Sequence, residues 1–313
     1  MSLPEPDPRR WLILAVIAGA QMMVVLDATI VNIALPSLQT ALGISDADRQ
    51  WVITAYALTF GGFLLLGGRI ADYWGRKRTF ILGMLGFAAA SALGGIANSG
   101  EVLFAARALQ GLFGAMLAPA GLAILTTTFH DPEERSKAFA VFGAVSAGGA
   151  AVGLLLGGIL TELLNWRWCL LVNTPVAIIA AFATYRVVTE SKVTKTGSLD
   201  IPGALLGTLG LVSLVYGFTK AGETSWDNST TIIFLVAAVV LLAAFIAVEA
   251  KSRNPLLPLR ILRDRNRGGS YMTSILLGAA IFGASLFLTY YFQSVLGYTP
   301  IQAGLASLPI SLG

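Results

Sequence analysis

The feature that most restricts this chain is a succession of apolar stretches, each about as long as a bilayer is thick. The first opens at Trp11 and runs to Leu35. Others follow at 51–70, 79–97, 102–129, 136–163, 168–187, 201–220, 230–249 and 269–293, and a tenth begins near 300. A helix needs about 20 apolar residues to cross a hydrocarbon core of about 30 Å. In lipid its backbone amides must be satisfied within the segment itself, so stretches of this length are helices. Composition closes off a soluble helical protein: 56% of the 313 residues are hydrophobic and 12% are charged, with a mean hydropathy of +0.75. A soluble domain carries about 25% charged residues. The expected class is an all-α integral membrane protein, with the lipid bilayer as its first partner. The stretch after Arg9-Arg10 is about 25 residues long, longer than a signal-peptide core, so it reads as a retained span.

Charge placement sets an expected orientation. With the N-terminus in the cytoplasm, only Arg49, Arg167 and Lys220 of the 21 Lys and Arg residues fall in outer segments, and Arg107 lies inside a span. The rest are cytoplasmic, which is the positive-inside pattern of a multi-pass protein of the cytoplasmic (inner) membrane. Trp11, Trp51, Trp74, Trp166, Trp168 and Trp226 all lie near span ends, as an aromatic belt does. A net charge of +4 spread over loops implies no nucleic-acid surface. Cys169 and His130 are each the single residue of their type, which gives no intrachain disulfide and no zinc site. No G-x-x-x-x-G-K-[ST] pattern and no nucleophile–base set occurs, so neither ATP use nor an enzyme is indicated, and no cofactor is expected. Two loops carry helix-start chemistry: Ser45 with Asp48 three residues on, and Asp131 before Pro132, Glu133 and Glu134. His130 beside the second reads as an interfacial side chain.

Four motifs carry more specific information. The loop after the second span reads Gly68-x-x-x-Asp72-x-x-Gly75-Arg76-Lys77. A plain positive-inside loop accounts for its cations, but not for an acid between two spaced glycines. The fourth span contains Arg107-x-x-Gln110-Gly111. An Arg within a span faces a cavity or a partner, or else snorkels to the interface from two turns inside the helix. In the fifth span Gly149, Gly153 and Gly157 share one face, which lets another backbone approach closely. The first span holds "LDATIVNIALP" from Leu26, with Asp27 in an apolar run, and the sixth begins "NWRWCLLVNTP" at Asn165.

The Gly68–Lys77 loop resembles the signature loop of the major facilitator superfamily position by position, and Arg107-Ala-Leu-Gln110-Gly111 resembles its fourth-span motif. The first- and sixth-span stretches, with "YYFQSVLGYTPIQAGLASLP" from Tyr290, are similar to the fourteen-span drug:proton antiporters, the EmrB/QacA type. The fifth span resembles their antiporter motif at Gly153 and at Gly157-Gly158, but Leu154 stands where that motif has Pro. Close packing survives this departure; the Pro kink does not. The resemblance implies the major facilitator fold: a six-helix bundle (1–188), a cytoplasmic linker (189–200), an inserted helix pair (201–250), a basic cytoplasmic loop (251–268) and the start of a second bundle (269–313). The family has about four more helices, so the sequence reads as a C-terminally incomplete chain, and a monomer is expected.

Asp27 and Arg107 form a candidate pair. At about 1.5 Å per residue, Asp27 lies roughly 24 Å up from Trp11, and Arg107 roughly 9 Å down from Glu101. Both fall at similar depth in the outer half. Burial favours a neutral carboxyl and a nearby guanidinium favours the anion, so a changing separation would load and release a proton. A cationic compound competing for the same carboxylate would complete an exchange. The expected function is a secondary transporter, driven by the proton gradient, that exports amphipathic or cationic small molecules (multidrug efflux and antibiotic resistance). The alternatives are a carrier for one metabolite or natural product, and a membrane sensor on a transporter-like fold. Met23, Asn32, Phe113, Met116, Tyr290 and Tyr291 are candidate cavity residues.

Overall fold

The computed structural model describes residues 7–46, 48–191, 200–252, 255–256 and 264–312. Its helices are α1 (Arg10–Leu42), α2 (Trp51–Trp74), α3 (Arg76–Gly95), α4 (Gly100–Thr128), α5 (Pro132–Leu163), α6 (Trp168–Leu171), α7 (Asn173–Val187), α8 (Ile201–Glu223), α9 (Ser229–Lys251), α10 (Arg265–Tyr290) and α11 (Pro300–Leu312). Eight spans among the described residues are long and apolar enough to cross a membrane; α6 and α7 together make one of them. The protein is an all-α membrane fold in which α1–α7 pack together as a first bundle, α8 and α9 pair with each other beside α2, and α10 leads to α11, which packs on α5. The central part of the expected linker, 192–199, and half of the 251–268 loop lie outside the described residues.

The first span differs from expectation. The sequence ends its apolar run just before Pro36, yet α1 continues through Pro36 to Leu42 and stops at Gly43, whose φ of 64° is left-handed. Proline removes one backbone donor, a loss that packed neighbours in a membrane helix tolerate. A left-handed glycine is a true stop. The helix-start residues act as expected. Asp131 accepts hydrogen bonds from the amides of Glu133 and Glu134 at 2.9 Å, and Ser45 accepts from the Asp48 amide at 3.1 Å. Asp200, expected in the linker, is instead the N-cap of α8 and accepts from the Gly203 amide at 2.8 Å.

Small residues set the helix spacing. The glycine face of α5 lies on α1: a Cβ on Gly153 would sit 3.0 Å from the Leu26 carbonyl, and one on Gly157 3.0 Å from the Ile30 carbonyl. Gly111 of α4 likewise meets the Tyr56 carbonyl of α2. Dispersion between closely approaching backbones drives association where lipid offers no hydrophobic penalty. Leu154 is buried with Ile33 of α1 and Ala303 of α11, and its carbonyl lies 2.7 Å from where a Cβ on Gly304 would stand. The side chain that replaces the motif proline is therefore a packing knob against α11. The outer surface of the bundle carries large apolar side chains, such as Ile233, Val239 and Val240 on α9, as a lipid-facing surface must.

The interior of the first bundle is layered. One apolar cluster contains Ile13, Ile17, Phe80, Met84, Phe87, Leu117, Leu125 and Phe129; a second contains Leu26, Ile30, Leu35, Leu38, Val52, Leu103 and Leu170. Between them, on each inner helix, comes a polar residue: Asp27 after Val24, Ser91 after Ala88, Gln110 between Leu103 and Leu117, and Asn173 between Leu170 and Ala177.

Candidate functional site

That polar layer is centred on Asp27. Its side chain is fully enclosed, and Arg107 is only 1% exposed. Arg107 Nη1 donates to Asp27 Oδ2 at 2.6 Å. Asp27 Oδ1 accepts from Gln110 Nε2 at 2.9 Å and from Asn173 Nδ2 at 2.7 Å. Arg107 is held in turn: Nη1 also donates to Gln110 Oε1 at 2.8 Å, Nε donates to the Val52 carbonyl at 3.0 Å, and Cζ lies 4.4 Å from the centre of the Tyr56 ring. Gln110 Nε2 reaches Ser91 Oγ at 2.8 Å. Residues of α1, α2, α3, α4 and α7 thus meet around one carboxylate.

The helices explain the convergence. Arg107 and Gln110 are three apart, so they share a face of α4 and act as one bidentate arm. Asn173 opens α7 immediately after the turn at Val172, which splits the expected 168–187 span in two. The snorkelling alternative for Arg107 is overturned, because its guanidinium points into the bundle, where three hydrogen bonds hold it. Taking two charges out of water costs several kcal/mol per ion, and only good geometry with saturated lone pairs offsets this. Here both carboxylate oxygens accept short hydrogen bonds, and three hydrogen bonds hold the guanidinium.

Every hydrogen-bond partner of Asp27 among the described residues comes from the first bundle, and both carboxylate oxygens are occupied. Arg107 fills the cation position beside Asp27 Oδ2.

The other predicted residues separate into groups. Asp72 pairs with Arg76 at 3.3 Å one turn on. Gly75 turns the chain between α2 and α3 with a φ of 116°, where a side chain is strained. Gly68 packs on Pro119 of α4. Lys77 Nζ donates to the Tyr185 carbonyl at 2.8 Å. Glu190, which no sequence motif marks, caps this region: its carboxylate accepts from the amides of Lys77 at 3.1 Å and Arg78 at 3.2 Å, closing the start of α3 onto the end of α7. Gly158 is buried beside Gly157 in α5. Met23 and Met116 are buried core residues, and Phe113 lies against Gly86 and Gly83, wedged between α4 and α3. Asn32 is buried, with an unpartnered Oδ1. Tyr290 lies under Arg49, whose Cζ is 4.3 Å from the ring centre, while Tyr291 is half exposed. The hydrogen bonds of the Asp27 layer include none of these six.

Residues 17–313 match the Major Facilitator Superfamily. The puromycin resistance protein pur8 of Streptomyces alboniger is 54% identical over 308 residues, 98% of this chain and 61% of that protein. The cephamycin export protein CmcT of Amycolatopsis lactamdurans is 40% identical over 94% of this chain and 61% of that protein. A solved peptide transporter POT in complex with sulfate shares the fold with a TM-score of 0.65, at 16% identity, over 95% of this chain and 65% of that one. This chain belongs to the Major Facilitator Superfamily, and it spans 61% of the length of each of these two relatives.

Proposed function

We propose that this chain is part of a proton-driven antiporter that exports amphipathic antibiotics, of the fourteen-span drug:proton type. The N-terminus faces the cytoplasm and the protein works as a monomer in the cytoplasmic membrane, without a cofactor. The observation that carries the reading is the enclosed carboxylate of Asp27, bonded to Arg107, Gln110 and Asn173 on two other helices. A protonatable group that several helices share can bias their packing when its charge changes, as a two-state transporter requires. The names of relatives, among them proteins of puromycin resistance, cephamycin export and tetracenomycin C resistance and export, support antibiotics as the substrate class. With Asp27 enclosed among helices of one bundle, coupling in this reading runs through helix packing rather than competition at one carboxylate.

Those names also favour a second reading, a carrier for one natural product, because each of the three refers to a single compound or compound class. Export from loaded vesicles tests both. Full-length protein in liposomes with a pH gradient is offered puromycin, a cephamycin and unrelated cationic dyes. Export of several classes supports the multidrug reading, and export of one supports the narrow carrier. No pH-driven export of any of them contradicts both.

A further inference from the structure

We infer that Asn173 is the group that follows the protonation state of Asp27, by turning its amide from hydrogen-bond donor to acceptor. The inference rests on the reading of Asp27 as the proton site and concerns how that site works. As described, the layer is built for the anion: Oδ2 accepts from Arg107, and Oδ1 accepts from two amide nitrogens. A guanidinium has no acceptor, so a proton arriving on Asp27 goes to Oδ1. There it meets two donors, and one amide has to present its oxygen instead.

The two amides are not equivalent. Gln110 is held at both ends: Oε1 accepts from Arg107 Nη1 at 2.8 Å and Nε2 donates to Ser91 Oγ at 2.8 Å. Turning it over sets its nitrogen against the guanidinium, donor against donor. Asn173 is held at one end only. Its Nδ2 donates to Asp27, while its Oδ1 is buried without a partner in a residue 1% exposed. A buried, unsatisfied polar atom costs free energy and calls for a reason. A half-turn of this amide breaks only the Nδ2–Oδ1 bond that protonation already abolishes. It replaces that bond with one from the new Asp27 O–H to Asn173 Oδ1. The proton stays on Asp27, no other bond changes, and deprotonation reverses the turn.

The position suits a relay between helices. Asn173 is the first residue of α7, beside the turn at Val172, and the next residue, Thr174, donates to the Ala88 carbonyl of α3 at 3.2 Å. The titratable groups near Asp27 are Arg107 on α4, Tyr56 on α2 and Cys169 on α6. The charged residues of α3, α5 and α7 lie toward helix ends, at Arg76–Arg78, Glu133–Lys137, Glu162 and Arg186, and Tyr290 of α10 is engaged by Arg49. The amides therefore answer a proton without a second ionisation.

The test is pH-difference infrared spectroscopy of the full chain in lipid, with Asp27→Asn used to assign the carbonyl stretch of protonated Asp27. A carboxylic acid that donates a hydrogen bond absorbs at lower wavenumber than one that does not. Asn173→Leu is expected to shift the Asp27 band to higher wavenumber, with Asn173→Ala giving the same shift should the leucine variant not fold. Asn173→Ser, which keeps an acceptor, is expected to hold the band near its native position. A band that Asn173→Leu or Asn173→Ala leaves unmoved overturns the role of Asn173 and leaves Asp27 as the proton site. Absence of any Asp27 band in the native protein at acidic pH overturns both.

Discussion

Replacing Asp27 by Asn tests the polar layer most sharply. The change is nearly isosteric, so no cavity forms and the effect is electrostatic. An asparagine presents one carbonyl and one amide nitrogen. If its oxygen faces Arg107, its nitrogen points at Gln110 Nε2, which stands 2.9 Å from the present Oδ1 and is held in place, although Asn173 can turn its oxygen toward it. If it is turned over, its nitrogen points at Arg107 Nη1, 2.6 Å from the present Oδ2. Either way donor meets donor, and the buried guanidinium loses its counter-ion. Breaking one side of a buried pair costs about 3–5 kcal/mol. Removing both charges, as in Asp27→Leu with Arg107→Met, relieves the uncompensated charge and is expected to recover part of that loss. Thermal unfolding in detergent, followed by tryptophan fluorescence across the single and double variants, measures both steps. A loss below about 1 kcal/mol for Asp27→Asn, the range of an exposed pair, would refute the claim that the pair is buried and hydrogen-bonded on both carboxylate oxygens.

Further outcomes follow from particular contacts. Gly153→Val drives a branched side chain into α1, where even its Cβ would stand 3.0 Å from the Leu26 carbonyl. Overpacking of this kind costs about 1–3 kcal/mol, and the check is the folded fraction recovered on size-exclusion chromatography. Glu190→Gln weakens the cap on the Lys77 and Arg78 amides, a loss of about 1 kcal/mol, read as faster hydrogen exchange confined to the first turn of α3. Asp131→Ala removes two bonds at the start of α5 and is expected to cost about 0.5–2 kcal/mol in thermal stability.

The spans and the central pair are legible in the sequence because both rest on simple counting. Apolar length gives helices, and rise per residue puts Asp27 and Arg107 at matching depth without knowledge of any contact. Gln110 is visible as a motif residue but not as a ligand of Asp27. Its role depends on a spacing of three that matters only once Arg107 is known to point inward. Asn173 lies in the sixth-span motif without an evident role, although an amide a few residues inside the outer end of a span is a usable signal. Ser91 gives none, since a serine in a membrane helix ordinarily bonds its own backbone. Glu190 is hidden among the polar residues after the sixth span, where no local pattern points to the distant start of α3. Met23, Met116 and Phe113 are legible only as apolar positions, because faces packed on helices, on lipid and on a cavity are all apolar and residue type does not separate them. Pro36 misleads because a proline stops an isolated helix more reliably than one packed among neighbours.

In the proposed mechanism Asp27 carries the proton that drives export. Proton flux measured with a pH-sensitive dye inside liposomes holding the full-length protein, on addition of a transported antibiotic, addresses this directly. The native protein is expected to move protons opposite to the antibiotic. Asp27→Asn, checked for retained fold and antibiotic binding, is expected to abolish that proton movement. Substrate-dependent proton flux at the native rate in Asp27→Asn would contradict it.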